Sequence, residues 1–175
     1  MILLDPDLDP DPAPALAAAK QAPASGSPKN LRIPSKRTLS RHLSQAQAAV
    51  RLRGQVTVLL TSDATIRDLN QRFRGKDEAT DVLSFPSTNP APGPEKIAGD
   101  LAISVDAARK QAADQGHTLA VELRVLILHG LLHLAGYDHE TDAGKMQHRE
   151  RQLRAKLGLP QGLIERATIK RRRKP

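Results

Sequence analysis

Three histidines in HGLLHLAGYDH, namely His129, His133 and His139, have the residue type and spacing most able to do chemistry in this chain. On an α-helix, side chains four apart lie one above the other, so the imidazoles of His129 and His133 can reach one ion. Gly136 stands where a left-handed residue closes a helix, a conformation that Gly takes at little cost. The reversal carries His139 back toward the other two. Three neutral imidazoles, with a fourth tetrahedral position left open, describe a catalytic zinc site; a structural site is closed by protein. The expected cofactor is therefore one Zn2+ per chain. Asp138, beside the third ligand, is expected either to orient an imidazole or serve as a base, or to be a plain turn residue.

The H-x-x-x-H-x-x-G-x-x-H spacing is also that of the metzincin zinc peptidases, which place Glu directly after the first His as general base. Here that position is Gly130, so a peptidase would lack its main proton acceptor. Gly inside a helix costs roughly 1 kcal/mol relative to Ala. The expectation is that Gly130 leaves room for a bulky substrate at the metal. His42, His117 and His148 are isolated and are read as surface residues.

A second cluster lies in NQRFRGKDEATDVLSFP, where Arg72, Arg74 and Lys76 crowd the end of a helix and the turn after it. Cations are favourable at a helix C-terminus in any case. The functional alternative is a substrate clamp, because the planar Arg fork matches phosphate. Opposed to the metal, it would hold a phosphodiester and neutralise charge in the transition state.

Several elements must position these residues. Met1–Leu4 is a candidate edge strand within residues 1–8, with Asn30–Ile33 competing for the same place. Residues 9–30 are rich in Pro, Ala and Ser and read as a flexible insertion. Ser35–Leu52 has Leu39, Leu43, Ala46 and Val50 at helical spacing, and Gly54 is expected to end it. Val56–Leu60 is a β-branched strand. Ser62 or Asp63 caps a helix with Ile66, Leu69 and Phe73 on its apolar face, closed by Gly75. Val82–Phe85 and Gly99–Val105 are strands and Asp106–Gln115 is a helix. Thr118 caps a helix from Leu119 to about Leu134 that is apolar on nearly every side, as a helix buried through the middle of a domain would be. Met146–Leu157 is the last helix, and residues 160–175 form a basic tail ending in KRRRKP. The fold class is α+β: a small mixed sheet packed with helices, with a central buried helix carrying the metal motif. Residues 31–159 form a single catalytic domain.

Composition narrows the partners. The chain has 175 residues, a net charge of +8 and only 2% aromatic residues. Its pI is near 10.2, which favours a polyanion such as nucleic acid. With Phe73, Phe85 and Tyr137 as its only aromatics, base stacking is expected to add little to affinity. There is no Cys, which fits the cytoplasm and leaves His, Asp and Glu as metal ligands. The N-terminus lacks the pattern of a signal peptide, and no apolar run is long enough to span a bilayer.

Taken together, FRGKDEATDVLSFP, GDLAIS and HGLLHLAGYDH resemble, in order, segments of the YbeY-type bacterial rRNA maturation factors, which are metal-dependent single-strand endoribonucleases. The resemblance spans roughly residues 52–158. It implies a zincin-like α+β fold with His129, His133 and His139 as zinc ligands and Arg74 as the functional Arg of the cleft. It also implies action on single-stranded rRNA in 3′-end maturation of the small-subunit (16S) rRNA and in ribosome quality control. The small ribosomal subunit and assembly factors would be partners, with no membrane. Two rivals are a non-catalytic zinc-containing assembly factor and a metzincin-like peptidase.

Overall fold

In the computed structural model, residues 1–6, 8, 31–87, 96–139 and 141–160 are described. The Pro/Ala stretch 9–30 and the basic tail beyond residue 160 lie outside them, as does Asn30. The elements run β1 (Ile2–Leu4), α1 (Lys36–Val50), β2 (Gln55–Thr61), α2 (Asp63–Arg74), β3 (Val82–Pro86), β4 (Ile97–Ser104), α3 (Val105–Gln115), α4 (Leu119–Leu134) and α5 (Lys145–Leu157). The strands form one sheet in the order β1-β2-β4-β3. β1, β2 and β4 are parallel and β3 pairs antiparallel to β4, so the sheet is mixed. The contest for the edge goes to Ile2–Leu4, which pairs in register Ile2↔Val58 to Leu4↔Leu60.

Strand alternation sorts the core onto two faces. Val58, Leu60, Leu101 and Ile103 share one face, where they pack in the main core with α1, α4 and α5. Leu83 and Ala102 share the other, with Ile66 of α2. Helices α2 and α4 thus cover opposite sides of the same strands. Helix α4 is buried along nearly its whole length, against β3, β4, α1, α3 and α5. Its all-round apolar sequence follows from having a neighbour on every side.

The caps are local and behave as the side-chain chemistry dictates. Ser62 accepts from the Thr65 backbone N–H, and Thr118 accepts from that of Val121. Helix α1 differs from expectation. It stops at Val50, and Arg51 takes the left-handed cap conformation at φ 66°. Its N–H reaches Ala48 O and that of Leu52 reaches Gln47 O, so the last carbonyls are already satisfied before Gly54. Strand β4 begins two residues earlier than its apolar pattern suggests, because Ile97 pairs with Gln55 at the sheet's end.

Candidate metal centre

Helix α4 ends by placing two imidazoles on one face. His129 is buried and His133 half-buried, with ring centroids 4.8 Å apart. The Nε2 atoms face each other at 3.1 Å. Beyond Ala135, Gly136 turns the chain at φ +88°. A Cβ there would meet nothing within 4 Å, so the position requires Gly for its backbone angle and not for space. The N–H of Gly136 returns to His133 O and that of Tyr137 to Leu132 O, which closes the helix. His139 then stands 5.5 Å from the ring of His129 and 5.3 Å from that of His133.

One nitrogen from each of the three rings falls in a group whose members all lie within 4.8 Å of one another. Such a set of borderline-soft, uncharged donors fits a divalent ion such as zinc. Among the described residues the group holds these three side chains and no fourth donor. His133 is suited to the task at neutral pH. Burial, then the charges of His129 and His139, lower its pKa to about 4, so the ring arrives unprotonated.

The carboxylate that touches this centre comes from elsewhere. Glu150 of α5 is fully buried, and its Oε1 accepts from Nδ1 of His129 at 3.2 Å. Nothing in the polar pattern of α5 marked it. A search for carboxylates within a helix repeat of the motif would have missed it too, since Glu150 is 21 residues from His129. Asp138 is half-buried. It accepts from the Thr141 hydroxyl at 2.9 Å, and its carbonyl accepts from the N–H groups of Thr141 and Asp142. It therefore builds the turn that carries His139. Its negative charge also acts on His133.

Gly130 does not look toward the metal position. A Cβ on it would strike Leu101 of β4 at 2.8 Å, so the residue is small because α4 lies directly on the sheet. Ser84 reinforces the seat by donating to Gly130 O at 3.3 Å. The expectation of substrate room is corrected accordingly. The reading of His42 and His117 as surface residues is also corrected. His42 is buried between α1 and α4, with Nε2 donating to Arg124 O at 3.3 Å. His117 is half-buried and hydrogen-bonds Glu122, itself fully buried. His42 sits on a polar helix and His117 in a turn, and neither context names the partner that meets it, which is Arg124 O of α4 for His42 and Glu122 for His117. His148 is exposed as expected.

Arg72, Arg74 and Lys76 are exposed at the end of α2 and just after Gly75. The segment is pinned. Arg67 grips both carboxylate oxygens of Asp77, at 2.6 and 2.9 Å, and the buried Asn70 amide donates to Glu78 O at 2.8 Å. Phe73 is 62% exposed and not on a buried face, with its ring edge-on to Phe85 at 5.1 Å. The basic cluster and the histidines are not in contact, being carried on opposite sides of the sheet. They do approach the same end of it. Phe73 meets the last residues of β3, and Leu134 at the end of α4 approaches Gly99, the partner of Pro86.

The chain is similar to several known proteins. A family model described as Endoribonuclease YbeY matches residues 23–158, starting inside the Pro/Ala-rich stretch. An Endoribonuclease YbeY of Koribacter versatilis is 54% identical over 140 residues, covering 80% of this chain and 89% of that protein. One from Solibacter usitatus is 50% identical with the same coverage. A solution structure from Thermotoga maritima is 31% identical, covers 68% of this chain and 81% of that one, and superposes with a TM-score of 0.48. With a family model spanning most of its length and relatives identical at half their positions, this chain belongs to the endoribonuclease YbeY family.

Proposed function

We propose that this protein is a zinc-dependent endoribonuclease that cuts single-stranded rRNA, acting in small-subunit 3′-end maturation and ribosome quality control. The observation that carries the reading is the convergence of three imidazole nitrogens at the end of α4 with no fourth donor among the described residues. His129, His133 and His139 would hold the ion. When bound there, it supplies Lewis acidity toward a phosphoryl oxygen or water.

The rest of the chemistry belongs to the chain. Arg74 presents a permanently charged fork at the end of the sheet, and would bind the scissile phosphate and offset its developing charge. Arg72 and Lys76, on the same pinned segment, would contact neighbouring phosphates. Asp138 would hold His139 in place through its turn and bias His133 toward a cation. A net charge of +8 would add affinity that weakens as salt rises. Residues 31–159 would be the catalytic domain, with β1 completing its sheet, and the tail 160–175 would add phosphate contacts. The working compartment would be the cytoplasm, with the small ribosomal subunit and assembly factors as partners. Among the described residues, no single helix is long and apolar enough to cross a membrane.

The test is cleavage of an unstructured RNA by purified protein beside Arg74→Ala and His129→Ala, with metal measured on each. Arg74→Ala should keep its zinc and lose about 10²–10³ in rate, while His129→Ala should lose both. Undiminished cleavage in both variants would mean a contaminating nuclease. Absence of cleavage in every sample, with zinc present, would make the protein a non-catalytic assembly factor. Product ends separate the routes of attack: a 2′,3′-cyclic phosphate terminus means that the RNA's own 2′-hydroxyl attacks, and a 3′-hydroxyl with a 5′-phosphate means that water does.

A further inference from the structure

We propose that Glu150 is the positioning residue of the metal centre: it sets the tautomer of His129 and supplies the buried negative charge that a cation on the triad neutralises. The inference rests on the reading that the three histidines hold a divalent ion.

Two observations lead to it. The first is direction. Oε1 of Glu150 lies 3.2 Å from Nδ1 of His129, and both side chains are buried. A carboxylate can only accept, so it draws the ring proton to Nδ1 and leaves the lone pair of a neutral imidazole on Nε2. That Nε2 is the atom facing His133 Nε2 at 3.1 Å. Without Glu150, either ring nitrogen could carry the proton, and half of the ring's orientations would offer the ion an N–H.

The second observation is an imbalance. Oε2 of Glu150 is buried with no hydrogen-bond partner among the described residues. A carboxylate sealed from water with one oxygen unmatched is costly, and an apolar pair in place of Glu150 and His129 would be cheaper in a merely structural helix interface. The cost has a use if a doubly charged ion sits beyond the imidazole. Three neutral imidazoles leave the whole charge of that ion uncompensated, and Glu150 is the carboxylate on the far side of His129. Its charge acts through the ring, strengthening His129 as a donor toward the ion. The same group therefore destabilises the metal-free fold and stabilises the metal-bound one.

Those opposed signs define the experiment. Zinc affinity is measured on the full chain by competition with a chelating dye, for wild type, Glu150→Gln and Glu150→Leu. Melting is followed on the metal-free proteins, and the His129 ring is followed by ¹⁵N NMR in the metal-free state. Removal of the charge should weaken zinc binding by about 10–100-fold. The metal-free Glu150→Gln protein, whose amide oxygen can still accept from Nδ1–H, should melt no lower than wild type, and His129 should lose its exclusive Nδ1–H form in Glu150→Leu. Unchanged zinc affinity with an unchanged tautomer overturns the proposal. So does a drop in metal-free melting in both variants, which would make Glu150 a structural brace. If wild type itself binds no zinc, the reading of the triad fails, and the NMR signal still decides whether Glu150 orients the ring.

Discussion

Replacing Gly130 by Ala tests how α4 is seated, and therefore what places the triad. The added Cβ would lie 2.8 and 3.0 Å from the Cδ atoms of Leu101 and 3.4 Å from its Cγ. Leu101 is 1% exposed and sits on β4, which is paired on both sides, so the strand has nowhere to withdraw. Forcing a methyl group into such packing costs about 1–3 kcal/mol. Ala inside a helix recovers about 1 kcal/mol relative to Gly. The net expectation is a loss of up to about 2 kcal/mol in stability. Leu101→Ala removes all three obstructing atoms, at its own cost of about 2–5 kcal/mol. In that background the methyl enters open space, and Gly130→Ala should stabilise by about 1 kcal/mol. A double-mutant cycle by urea denaturation should therefore show Gly130→Ala changing sign between backgrounds. The same shift in both would refute Leu101 as the constraint. A loss of RNA cleavage at unchanged stability would restore the idea that Gly130 makes room for substrate.

Two further outcomes follow from the caps and the buried rings. Thr118→Ala removes the N-cap of α4 and should cost about 1 kcal/mol in urea unfolding, with zinc affinity unaltered because the triad is at the other end of the helix; reduced affinity would mean that the fraying reaches His129. His42 and His133 both have pKa values lowered chiefly by burial, His133 to about 4. An unfolded chain takes up these protons near 6.5 while the fold resists, so metal-free stability is fully present above about pH 6.5 and falls as the pH drops toward 4. His42→Gln should flatten that slope in urea midpoints measured between pH 7.5 and 4.5, and an unaltered slope would remove His42 from the account.

What could be read from the sequence was short-range. The triad spans a few turns of chain, where helical spacing and one left-handed Gly suffice to bring three rings together. The caps at Ser62, Thr118 and Gly75 are likewise bonds between near neighbours. The β-branched run VTVLL reads as a strand, and the nearly all-round apolar surface of α4 reads as burial. None of these signals says which neighbour a face will meet. Glu150 reads as one more charged residue on a polar helix until α5 crosses α4 and presses it against His129. Gly130 reads as an exception to helix propensity until β4 is found beneath it. His42 reads as exposed until α1 packs on Arg124's turn of α4. Whether the Arg72–Lys76 cluster stands on the same side of the sheet as the histidines depends on strand parity and on the order β1-β2-β4-β3. Periodicity determines that a residue has a face, because backbone geometry repeats locally. The partner on that face is decided by chain segments far away in sequence, whose pairing depends on the packing of the whole core.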